Sequence, residues 1–74
     1  MTTIARIKRA DSHGTERYVG SYVNAADEVM GFTVIVENHR IVHGIINSPR
    51  RVMTFDPSVD HRLTAKIEDA IAAI

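Results

Sequence analysis

The spacing of apolar residues changes along the chain, and the changes mark its elements. The segments Phe32-Thr33-Val34-Ile35-Val36-Glu37 and Arg40-Ile41-Val42-His43-Gly44-Ile45-Ile46 are crowded with β-branched residues, which suit a pleated, half-buried surface. Asn38-His39 lies between them, and Asn tolerates positive φ, so a two-residue hairpin turn is predicted there. That turn sets Glu37 opposite Arg40 as a favourable charge pair. Val36 then faces Ile41, Val34 faces His43 and Phe32 faces Ile45. One face of the hairpin would hold Phe32, Val34, Val36, Ile41 and Ile45. The other would hold Ile35, Val42 and Ile46 around Thr33 and Gly44.

Toward the C-terminus the period lengthens. Val59, Leu63, Ile67, Ala70, Ile71 and Ile74 recur at spacings of three and four, which places them on one helical face. Asp56 fits as N-cap and Pro57 as the first helical residue. Asp60 would then sit in the first turn, beside the positive end of the helix dipole.

The N-terminal third predicts a second hairpin. Residues 2–10 and 15–23 are joined by Asp11-Ser12-His13-Gly14, a run of turn formers. Pairing about that turn puts Ile7 by Tyr18 and Thr3 by Tyr22 on one face, with Arg6, Lys8, Arg17 and Val19 on the other. Residues 24–31 are expected to form a short helical turn with Asn24 as N-cap and Gly31 just past its end. Asn47-Ser48-Pro49 breaks the chain, and residues 51–55 read as a last strand.

These elements predict one α+β domain over residues 1–74. It is an antiparallel sheet of four to five strands with one C-terminal helix packed on one face, in the order ββ(α)βββα. The alternative is a small barrel with the helix plugging one end. Covering poses the main question. Aliphatic residues fall on both faces of the 32–46 hairpin, and one helix covers one face. A half-buried sheet ordinarily shows polar residues on its outer side. The Ile35, Val42 and Ile46 face is therefore expected to meet a curled N-terminal hairpin, a target, or a second copy of the chain in a homodimer.

Composition narrows the function. At 74 residues the chain buries only roughly 60% of its unfolded surface, so a partner is a natural source of extra stability. The absence of cysteine excludes disulfides, thiolate zinc sites and iron–sulfur clusters. No apolar run approaches the ~18 residues of a membrane span. Residues 1–6 do not read as a signal peptide, so a cytoplasmic location is expected. Nine basic residues balance nine acidic ones, which argues against nonspecific nucleic-acid binding.

Candidate chemistry is sparse. His39 and His43 are four apart, which on a strand separates them by roughly 13 Å, too far for one metal ion. No metal or other cofactor is expected. Ser12, Ser21, Ser48 and Ser58 lack a nucleophile-elbow context. Asp56 and Asp60 fall where a helix start needs carboxylates. The four glycines are scattered and form no phosphate loop. The expectation is a non-enzyme. Seven of the nine basic residues are arginine, suited to bidentate contacts with carboxylate or phosphate. Arg6, Lys8, Arg17, Arg50 and Arg51, with Tyr18 and Tyr22, are the expected partner-binding surface, with Arg9 nearby.

The function expected is that of a small stand-alone protein acting by protein–protein contact. One such role is that of an inhibitor from a phage or mobile element that occludes a host defence protein. The alternative is a nucleic-acid-binding accessory protein using the Arg/Tyr surface.

Overall fold

A computed structural model describes residues 2–74. Its strands are β1 (Thr3–Arg9), β2 (Glu16–Val23), β3 (Val29–Glu37), β4 (Arg40–Asn47) and β5 (Val52–Phe55), followed by one helix, α1 (His61–Ala72). The strands form one antiparallel sheet in the order β1-β2-β3-β4-β5. The fold is therefore α+β, with the helix against one face.

Local chemistry sets each turn. Asn38 and His39 adopt φ of 51° and 66°, and His13 and Gly14 adopt 52° and 78°. Two consecutive positive φ values match the right-handed twist of the strands that flank them. The 24–28 segment is not a helical turn. Asn24 Oδ1 accepts from the N–H groups of Ala26 and Glu28, both at 2.9 Å, and folds the chain back into β3, which starts at Val29. Asn24 has the capping chemistry expected of it, but spends it on a turn between strands.

The helix begins later than the sequence predicts. Asp56 accepts from Ser58 N–H at 2.9 Å and Ser58 Oγ–H at 2.6 Å, which holds a separate turn over residues 56–59. Asp60 is the true N-cap, accepting from Leu63 N–H at 3.2 Å. Leu63 and Ile67 enter the core, whereas Val59 is 75% exposed and Ile74 is also exposed. The apolar stripe thus anchors the helix through Leu63, Ile67 and the partly buried Ile71, and Val59 and Ile74 fall outside the contact.

Two bulges set which residues face inward. Between β1 and β2, Ile4 pairs with Tyr22 and Arg6 with Ser21, leaving Ala5 as the extra residue. Between β3 and β4, Val36 pairs with Ile41 and Ile35 with His43, leaving Val42 as the extra residue. Beyond that bulge the faces of β4 exchange. Val34 pairs with Gly44 and Phe32 with Ile46, not with His43 and Ile45 as predicted. Ile46 is core, 5% exposed, and Ile45 takes the outer position at 39%. In the first hairpin, Ile7 pairs with Gly20 and Thr3 with Val23 rather than with the tyrosines.

The core gathers between sheet and helix. Phe32, Val34 and Ile67 lie at its centre, with Tyr18, Tyr22, Met30, Val36, Ile41, Ile46, Phe55 and Leu63 around them. The helix backbone approaches β1 and β4 most closely. Those strands stand three places apart in the sheet, so the sheet curls about the helix. Gly20 permits the curl: a Cβ there would lie 2.0 Å from the Arg6 carbonyl oxygen and 2.8 Å from the Phe32 ring. Glu68 ties α1 to β4 by accepting from Ile41 N–H at 3.1 Å. No helix among the described residues is long and apolar enough to cross a membrane.

Candidate interaction surface

The sheet face turned away from α1 has no covering layer among the described residues. Strand alternation and the two bulges decide its composition. β1 contributes Arg6 and Lys8, and β2 contributes Arg17, Val19 and Ser21. β3 contributes Gly31, Thr33 and Ile35, and β4 contributes His43 and Ile45. One row across the sheet reads Lys8, Val19, Thr33, Ile45, Thr54. The face is therefore cationic along β1 and β2 and aliphatic toward its middle. Its strand residues include one acid, Glu37, which stands opposite Arg40 in the strand register beside the turn without a salt bridge to it.

The cations differ in how they are held. Arg17 Nε–H donates to the Ala10 carbonyl at 2.9 Å, which fixes that side chain near the first turn. The only ion pair among the described residues joins Arg9 to Asp11 at 2.9 Å. This hydrogen bond holds the Asp11 carboxyl below its ordinary pKa and raises that of Arg9. Among the described residues, Arg6 and Lys8 have no carboxylate partner within salt-bridge distance.

The seven residues expected to form one binding surface are divided among three places. Arg6, Lys8 and Arg17 do share the open face. Tyr18 and Tyr22 point the other way, into the core, at 5% and 7% exposure. The Tyr18 hydroxyl donates to Glu16 Oε2 at 2.8 Å, and the Arg9 guanidinium lies 5.9 Å from the Tyr18 ring centroid. Tyr22 packs by Phe32, with ring centroids 6.4 Å apart. Arg50 and Arg51 lie in the β4–β5 turn, where Ser48 Oγ accepts from both of their N–H groups. That turn is at the opposite edge of the sheet from β1. Of the predicted self-association face, Ile35 and Val42 remain on the outer side, and Ile46 does not.

The sequence reading missed Ile45 as a surface residue. A signal existed in the spacing of Ile41 and Ile46: two core residues five apart on a strand require an extra residue between them. The spacing of Ile4 and Ile7 carries the same signal in β1.

A hollow of about 110 Å³ lies between the β3–β4 turn and the end of α1, lined by Glu16, Val36, His39, Glu68, Ile71 and Ala72. Wider and shallower depressions also mark the surface, one of about 590 Å³ beside His39, Arg40, Pro57 and His61. His39 sits in a turn and His43 on the open face, and no three His, Asp or Glu residues gather as metal ligands among the described residues. No family model, curated protein or solved structure matches the chain.

Proposed function

We propose that the protein is a non-catalytic binding module whose open sheet face docks on an acidic patch of another protein. The observation that carries this reading is the pairing of uncovered aliphatics, Ile45 near the middle of the sheet among them, with the cations Arg6, Lys8 and Arg17 on one face. An apolar centre beside charged groups is the ordinary anatomy of a protein interface. Arginine at its edge suits bidentate capture of carboxylates. Covering a partner's surface requires no reacting group. We extend the reading on that ground to an inhibitor of the kind that phages and mobile elements encode.

The nucleic-acid alternative loses its strongest support with the tyrosines. Sequence-tolerant binding of single strands depends on aromatic rings on which bases stack. Both tyrosines lie in the core.

The test is capture from an extract of the native host by immobilised wild type, Ile45→Lys and Arg6→Glu. One protein retained by wild type should be lost with either variant, while all three remain folded by circular dichroism. Retention by both variants would remove the open face as the site. Titration of single-stranded oligonucleotide should show no binding. Binding that falls by orders of magnitude over a modest rise in salt would instead favour the nucleic-acid reading.

A further inference from the structure

The two edges of the sheet are built differently. β1 carries a bulge at Ala5 and the cations Arg6, Lys8 and Arg9, devices that keep a strand edge from pairing with another chain. β5, Val52-Met53-Thr54-Phe55, has no charge, proline or bulge. Its pairing with β4 shows which backbone groups are committed. Ser48 N–H donates to the Arg51 carbonyl at 2.9 Å, so Arg51 is directed toward β4. Antiparallel alternation then directs Met53 and Phe55 toward β4 as well. The N–H and C=O groups of Val52 and Thr54 point outward.

The ends of β5 carry opposite charges, with Arg50 and Arg51 before it and Asp56 after it. We propose that β5 pairs antiparallel with β5 of a second copy, giving a two-fold dimer with one sheet continuous across both chains. Pairing about Met53 sets Val52 against the second copy's Thr54, so the outward donors and acceptors meet. The same register brings Arg50 to the second copy's Asp56, and symmetry repeats the pair. All facing residues then point to the same side of the sheet, as a two-fold axis perpendicular to it demands. An apolar groove lies along this edge, lined by Tyr22, Ile46, Met53, Phe55, Val59 and Leu63. The dimer places the grooves of the two copies beside one another and draws Val52, 67% exposed, and Val59 out of water. The open face offers no such complement to a second copy, because Arg6, Lys8 and Arg17 outnumber its single acid. Target docking therefore uses the open face, and self-pairing the β5 edge that borders it.

Sedimentation equilibrium of the full chain, from micromolar to near-millimolar concentration, tests the proposal. Wild type should pass reversibly from monomer to dimer. Thr54→Pro removes an outward N–H and should remain monomeric while folded. Val52→Lys should do the same, and decides the matter should the proline variant unfold. Arg50→Glu should weaken the dimer several-fold. Ile45→Lys should dimerise as wild type does. A wild type that stays monomeric throughout overturns the proposal, as does a dimer that survives Val52→Lys and is split by Ile45→Lys.

Discussion

Tyr18 and Tyr22 show how a residue's neighbours in sequence differ from its neighbours in space. Arg17, Tyr18, Val19 and Gly20 are consecutive, yet on a strand they alternate between two faces. Grouping the tyrosines with the arginines by proximity therefore combined an inner row with an outer one. The inner row has a consequence for pH. Burial, followed by the charge of Asp60, raises the Tyr22 pKa above its ordinary value of 10.0. The hydrogen bond to Glu16, followed by burial, raises that of Tyr18. A tyrosine with a raised pKa holds its proton more tightly when folded. Its contribution is complete below the unfolded pKa and is lost as pH rises through the folded one. Wild-type stability should therefore fall above about pH 10. Tyr22→Phe should flatten that fall, which urea midpoints measured on both sides of this pH would show. An equally steep fall in the variant would place the alkaline sensitivity elsewhere.

At the scale of elements, the strands and the helix were legible in the sequence, and their registers were not. The 32–46 hairpin was readable because β-branched density and Asn38 agree. Its inner and outer faces were misassigned past Val42, because one extra residue reverses the parity of everything after it. The helix start was displaced because Asp56 and Asp60 both have capping chemistry and Pro57 suits a first helical turn. The 24–31 segment was misread because Asn24 serves a helix cap and a tight turn equally well. The observed packing makes the helix stripe unequal along its length. Ile67→Ala, which empties a fully buried site, should cost about 2–5 kcal/mol. Val59→Ala, at a site outside the core, should cost less than about 0.5 kcal/mol. Thermal melts of the two variants give the comparison, and equal losses would mean that the 56–59 turn is packed against the core.

At the scale of the molecule, every strand pairs with its neighbour in sequence, and only the helix connects distant parts by returning to β1. This arrangement has a kinetic meaning. Hairpins form through short loops and can add one after another at little entropic cost, whereas the helix finds its seat only once strands as distant in sequence as β1 and β4 stand in one sheet. The barrier should therefore be crossed with the central hairpins assembled and the helix still loose. Val34→Ala, in the middle of β3, should lower the folding rate. Ile67→Ala should leave that rate almost unchanged and raise the unfolding rate instead. Stopped-flow folding and unfolding arms in denaturant separate the two effects. A folding arm slowed by Ile67→Ala would place helix docking before the barrier. With docking last, the chain's lifetime in the native state is governed by how firmly α1 holds, more than by how quickly the sheet forms.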